Sequence, residues 1–264
     1  MIGAIIGDVV GSPYEFGGIK HKNFTLLVAG CMPTDDSMMT IAVGLQCAEG
    51  VTDDEEQFKN DLVSQMQRIG RQYPNAGYGE MFYHWLHSDT AGPYGSYGNG
   101  SAMRVSPVAW VAKSLAEAEK LAKWTAEVTH DHPEGIRGAQ AVAAAIYLAR
   151  TGEDKASIRR YIEENYYSLQ FTTDEIRPTY HFDVTCEGSV PQAIVAFLDS
   201  ENFEDAVRNA VSLGGDGDTQ ACIAGAIAEA YYGTPDELWE RTLPYIDDTL
   251  REYIDAYCEV LYDL

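Results

Sequence analysis

Apolar residues recur every three to four positions through most of the chain. Phe58, Leu62, Met66 and Ile69 share one face of EEQFKNDLVSQMQRIGRQY, the spacing of an amphipathic α-helix. Leu115, Ala118, Leu121, Ala122 and Thr125 repeat the pattern in SLAEAEKLAKWTAEVTH. TIAVGLQCAEG, Thr40 to Gly50, is apolar, turns amphipathic toward its end and stops at glycine, a common helix terminator. GIRGAQAVAAAIYLARTG is a small-residue helix suited to close packing, and SVPQAIVAFLDS carries Pro191 in an expected first turn, where proline is tolerated. NFEDAVRNAVSLGG, LGGDGDTQACIAGAIAEAYYG, PDELWERTLPYI and DTLREYIDAYCEVLYDL extend the helical series. Strand-like alternation is scarce, and only MIGAIIG stays open between strand and buried helix.

The pattern therefore predicts an all-α protein with a single domain over residues 1–264. No Pro/Gly/Ser linker divides it, and no fixed-period repeat points to a solenoid. The expected irregular stretches are Gly11 to Thr34, Tyr73 to Ser101, His130 to Gly135 and Tyr166 to Gly188, where a helical scaffold would carry function.

Composition is ordinary for a globular protein, with 45% hydrophobic and 22% charged residues, but the net charge of −23 is not. Such a field disfavours long nucleic acid and anionic membrane surfaces. Cys31, Cys47, Cys186, Cys222 and Cys258 are odd in number and include no C-x-x-C, which fits reduced thiols and a cytoplasmic location. The opening segment lacks a basic start and meets Asp8 early, so it makes a poor signal peptide. No apolar run approaches the ~20 residues of a membrane span.

Three segments combine glycine, aspartate and a hydroxyl residue at an expected helix start: GDVVGSPYE (Gly7 to Glu15), PTDDSMMT (Pro33 to Thr40) and GGDGDTQ (Gly214 to Gln220). Each alone is explained by helix capping. Together they hold adjacent Asp35 and Asp36 and close Asp216 and Asp218, more carboxylates than caps need. Paired carboxylates repel unless they take up a proton or a cation, and an all-oxygen set suits Mg²⁺ or Mn²⁺. It is not an EF-hand, because Ile227 stands where that loop needs its final glutamate. HDHP, His130 to Pro133, is a weak zinc element with no third ligand in view. GPYGSYGNGSAMRVSP, Gly92 to Pro107, interleaves glycines with Tyr94 and Tyr97. It is a surface turn or a phosphate cradle with a stacking face, and it matches neither a Walker A nor a dinucleotide fingerprint.

In order, GDVVGSPYE, PTDDSMMT, GSYGNGSAMR with a downstream histidine, and GGDGDTQACIAGAIAEAYYG resemble the ADP-ribosylglycohydrolase family, over Met1 to about Gly233. The resemblance implies an all-α fold with two divalent metal ions, Mg²⁺ or Mn²⁺, in a cleft, and cleavage of the bond between C1″ of ADP-ribose and an acceptor. It further implies metal ligation by Thr34, Asp35, Asp36, Asp216, Asp218 and Thr219. Glu15 and Asp35 become the expected catalytic carboxylates, Glu15 as base or as the group that positions acceptor and water. Gly95, Ser96, Tyr97, Gly98, Asn99 and Gly100 match the diphosphate and adenosine loop, and His130 the substrate-contacting histidine. The first and third motifs are similar to the branch acting on serine-linked ADP-ribose. Where arginine-specific members carry an acid, Tyr78 stands, with Glu80 near. Ala91 stands where a second adenine-stacking aromatic is expected, leaving the adenine to Tyr94 or a looser hold. The partners so implied are ADP-ribose and an ADP-ribosylated substrate; the oligomeric state is not readable. The acceptor stays open among serine, arginine, an ester, a base and a small molecule. A non-catalytic ADP-ribose-binding or crystallin-like relative, an arginine-specific hydrolase and a different metal-dependent hydrolase stand as alternatives.

Overall fold

A computed structural model describes residues 1–262, with fifteen α-helices, two 3-10 turns and no strand among them. Ile2–Gly11 is helix α1, buried from Gly3 to Gly11. A helix apolar all round has no periodicity to read, which is why MIGAIIG was ambiguous. A 3-10 turn, Ser12–Tyr14, leads into the loop that carries Glu15. Helix α2, Asp35–Glu49, starts five residues ahead of its apolar run, because Thr34 caps it and Asp35 and Asp36 fill its first turn. Asp54 caps α3, Glu55–Gln72, through the Gln57 N–H at 3.1 Å.

Four helices fall in or beside stretches expected to be irregular. These are α4 (Glu80–Leu86), α5 (Gly100–Met103), α6 (Ser106–Val111) and, further on, α10 (Thr173–Ile176). They are too short to display a repeat. Between them lie the long α7 (Leu115–Glu127) and α8 (Pro133–Arg150), followed by α9 (Lys155–Asn165), which buries only Ile158 and Ile162.

Helix α11, Cys186–Leu198, corrects the placement of Pro191. Thr185 caps the helix through the Gly188 N–H at 3.0 Å, so it starts before SVPQ and encloses the proline in its second turn. Helices α12 (Phe203–Val211), α13 (Gly217–Tyr232), α14 (Asp236–Thr242) and α15 (Asp248–Tyr262) complete the described chain. Among the described residues, no helix is long and apolar enough to cross a membrane.

One contiguous apolar cluster fills the interior. At its centre α13 packs against α1, α8, α11 and α12. The α1–α13 contact is set by small residues four apart on each helix. A Cβ added at Gly3 would stand 2.4 Å from the Gly225 carbonyl oxygen, one at Gly7 2.0 Å from that of Ala221, and one at Gly11 2.5 Å from that of Gly217. Nothing larger than hydrogen fits there, so the two backbones touch along their length. This contact sets Asp8 of α1 beside Asp218 of α13. It also corrects one expectation: Asp8 of GDVVGSPYE lies inside a helix, not at its start.

Candidate active site

Four aspartates are almost wholly removed from water: Asp8, Asp36, Asp216 and Asp218. Asp8 alone is fully provided with donors. It accepts from the Thr34 N–H at 2.8 Å, the Thr34 hydroxyl at 2.7 Å, the Ser37 N–H at 3.0 Å and the Ser37 hydroxyl. A carboxylate from α1 thereby satisfies free N–H groups at the start of α2 and fixes that helix end.

The other aspartates are under-provided. Asp36 Oδ2 accepts from the Thr219 hydroxyl at 3.2 Å, while its Oδ1 is buried with no partner among the described residues. Asp218 Oδ1 accepts from the Thr219 N–H at 2.9 Å. Asp216 occupies the N-cap position of α13 without capping it; its Oδ2 takes the Asn99 amide at 2.7 Å. Capping therefore does not account for Asp216.

Carboxylate oxygens of Asp8, Asp36 and Asp218 lie within 4.8 Å of one another, as do those of Glu15, Asp216 and Asp218. The two groups share Asp218. Burial pushes all of them up from their usual range, and repulsion adds to it for all but Asp8: Asp36 and Asp218 lie well above that range, Asp216 is pushed to about 6, and half-buried Glu15 to about 7. Asp35, beside them, is raised by burial and by the charges of Asp218, Asp8 and Glu15. An orphaned buried oxygen among carboxylates that resist sharing their charge is the surrounding a hard cation relieves. The residues present fit such a group.

Glu15, Asp35, Asp36, Asp216, Asp218 and Thr219 line a cavity of about 500 Å³, together with Ser96, Gly98, Asn99, Gly100 and His130. Thr34, Gly95 and Tyr97 are not among its lining. Thr34 is turned to Asp8; the Gly95 N–H is held by Asp131 at 2.7 Å; and Tyr97 is 54% exposed with its ring edge on His132. Ala91 does not line the cavity either. Tyr94 does, and Phe16 and Phe182, with ring centroids 6.0 Å apart, stand at its exposed mouth with Met81 and Val184. Glu80 lines the cavity as well, whereas the Tyr78 hydroxyl is buried without a partner among the described residues. The glycine loop is tied to the start of α11 by the Asn99 N–H to Val184 oxygen bond at 2.8 Å and the Cys186 N–H to Tyr97 oxygen bond at 3.0 Å. The histidines of HDHP separate: His132 caps α8, while His130 is buried on the cavity wall.

Sequence reasoning missed Asp8, Arg104 and Thr129. Asp8 was hidden inside an apolar helix, although an aspartate amid MIGAIIGDVVG is itself a signal, since such a group is buried only for a reason. Arg104 closes GSYGNGSAMR, is 1% exposed and lines the cavity.

The ADP-ribosylglycohydrolase family profile matches residues 1–264. The chain is 27% identical to the human protein named ADP-ribosylhydrolase ARH3, over 94% of this chain and 89% of that one. It is 30% identical to ADP-ribosylarginine hydrolase Tri1 of Pseudomonas putida (strain GB-1), over 88% of this chain and 69% of that one. A solved structure described as an ADP-ribosylglycohydrolase-related protein complex superimposes with a TM-score of 0.71 at 22% identity, covering 99% of this chain and 96% of that chain. That likeness shows the shared fold.

Proposed function

The chain belongs to the ADP-ribosylglycohydrolase family, whose members hydrolyse ADP-ribose glycosidic bonds, and from that premise we propose a metal-dependent enzyme that frees ADP-ribose from an acceptor side chain such as serine. The observation that carries this reading is the meeting, in one cavity, of Glu15 and four aspartates with a glycine-rich loop and a buried histidine. The aspartates need cations, and the loop suits a diphosphate.

Thr34, Asp35, Asp36, Asp216, Asp218 and Thr219 would hold two divalent ions, Mg²⁺ or Mn²⁺, with Asp8 completing one group. Such ions, when bound, supply Lewis acidity toward the ribose hydroxyls and acidify a water. The rest falls to the chain's own side chains. Asn99 holds one oxygen of Asp216 and so fixes how that carboxylate faces the cavity. The carboxylates stabilise positive charge that develops at C1″ as the glycosidic bond breaks. Glu15, at the cavity edge, takes the proton of the attacking water or orients it. The Gly98 to Gly100 backbone and His130 lie along the diphosphate, and Tyr94 offers its ring to the adenine. Phe16, Phe182 and Met81, exposed at the cavity mouth, would meet the acceptor.

The assay is release of free ADP-ribose, read by mass spectrometry, from peptides with serine-linked, arginine-linked or ester-linked ADP-ribose in the presence of Mg²⁺ or Mn²⁺. Release from the serine-linked peptide is expected. Asp35→Ala and Asp216→Ala should abolish it while the helical CD spectrum stays intact. Full activity in both variants refutes the metal-centred reading, and tight binding without release marks a non-catalytic ADP-ribose binder. Two observations favour arginine as the alternative acceptor. Glu80 lines the cavity, and the Pseudomonas putida relative is named for ADP-ribosylarginine. Release confined to the arginine-linked peptide would select it.

A further inference from the structure

Arg104 is a buried guanidinium with no carboxylate partner among the described residues. Its Nη2 donates to the Thr125 carbonyl oxygen at 2.8 Å and to the Thr129 hydroxyl at 2.8 Å. Thr129 is fully buried, and its Oγ1 lies 2.7 Å from Nδ1 of His130. We propose that Arg104 and Thr129 are positioning residues that fix His130 as the neutral tautomer protonated on Nε2, so that it donates a hydrogen bond to an anionic oxygen of the substrate's diphosphate.

The direction of the relay follows from counting protons. A guanidinium only donates, so Thr129 Oγ1 accepts from Arg104. The hydroxyl then has one proton to give, and among the described residues the only acceptor in reach is His130 Nδ1. The reverse arrangement, with the proton on Nδ1, would leave a buried hydroxyl proton unpaired, which is costly. With Nδ1 accepting, the ring proton resides on Nε2. Among the described residues that nitrogen makes no hydrogen bond, and it lies between Gly98 and Gly100. A Cβ added at Gly100 would stand 3.2 Å from it, and one at Gly98 3.6 Å. Both glycines and His130 line the cavity. Burial and the Arg104 charge hold His130 well below the usual imidazole range, so the ring stays neutral. A neutral imidazole serves an anion only when its proton is on the nitrogen that faces the anion, and this relay puts it there. Arg104 suits the task because its planar fork stays protonated when buried.

The inference rests on the cavity being an ADP-ribose site, so the test reads the tautomer and ligand binding separately. In ¹⁵N–¹H spectra, His130 is assigned by comparison with His130→Gln. The free wild-type protein should show the Nε2–H tautomer. ADP-ribose should shift the Nε2 signal, and adenosine, which lacks the diphosphate, should leave it in place. Thr129→Val should give mixed tautomers and weaken ADP-ribose binding about tenfold, as expected for one lost hydrogen bond to a charged group. Thr129→Ser, which restores the hydroxyl, should recover both. An Nδ1–H tautomer or an imidazolium in the wild-type protein overturns the proposal, and that measurement decides even if Thr129→Val does not fold. A folded Thr129→Val with wild-type tautomer and affinity also overturns it. Failure of the wild-type protein to bind ADP-ribose would instead overturn the functional reading, whatever the tautomer of the free protein.

Discussion

The carboxylate oxygen that matters most is Asp36 Oδ1, buried and without a partner among the described residues. In the metal-free protein it is a liability. Removing its charge should therefore cost nothing, because the repulsion it feels from Asp218 and Asp8 disappears. We expect Asp36→Asn, stripped of metal, to melt at or above the wild-type temperature. With Mn²⁺ the order should reverse. At about a hundredfold excess over Kd, cation binding adds about 2.7 kcal/mol to the wild type, a rise of several degrees in a chain of this size, and Asp36→Asn should lose most of it. Acidity separates the two states further. Glu15 and Asp216 titrate near 7 and near 6 in the fold, above their unfolded values. Between those values the folded protein binds more protons than the unfolded chain, so stability falls as pH rises. Metal-free protein should thus gain melting temperature as pH drops from about 8 toward about 5, and the Mn²⁺ increment should be larger at the alkaline end. Differential scanning calorimetry with and without chelator measures both. A cation increment equal in wild type and Asp36→Asn would remove Asp36 from the binding group.

At the scale of elements, the α1–α13 contact is the device that assembles the site. Gly7→Ala places a methyl group 2.0 Å from the Ala221 carbonyl oxygen. Backbone cannot yield as a flexible side chain would, so the helices must part. Overpacking of this kind costs about 1–3 kcal/mol. Because the same displacement moves Asp8 from Asp218, Gly7→Ala should lose part of the Mn²⁺ increment beyond its loss in melting temperature. Normal cation binding in a destabilised Gly7→Ala would show that the helix spacing does not set the site. The small-residue repeat Gly3, Gly7, Gly11 was present in the sequence, but it has meaning only once its partner on α13 is known. Long amphipathic helices such as α3 and α7 were legible because each buries one stripe. α1 was not, being buried all round, and α4, α5, α6 and α10 were too short. Most of the candidate site could be read from its Gly-Asp-Thr clusters. Asp8 stood out as an aspartate in an apolar run, but its partners at the start of α2 did not; Arg104 was not legible, because only folding brings it to Thr129, 25 positions on.

The whole molecule carries 41 acidic and 18 basic residues, which sets two electrostatic effects against each other. Ion pairs such as Lys59 with Glu55 and Glu127, Arg208 with Glu204, and Arg251 with Asp248 are partly or largely exposed. Pairs of this kind contribute about 0.2–1 kcal/mol each and weaken with salt. Repulsion among the excess carboxylates opposes folding and also weakens with salt. Since acidic residues outnumber basic ones more than twofold, unpaired charge outweighs paired charge, and repulsion is the larger effect. Metal-free protein should therefore melt higher as NaCl rises from about 0.01 M to about 0.1 M, where the Debye length shrinks from about 30 to about 10 Å. A divalent ion should do more than its ionic strength predicts, because it enters the cluster that screening reaches least. Mg²⁺ matched to NaCl in ionic strength separates the two: equal melting curves would mean that the acidic surface, and not the buried carboxylates, accounts for the response. A steeper rise with Mg²⁺, lost in Asp216→Asn, would place that response in the cavity.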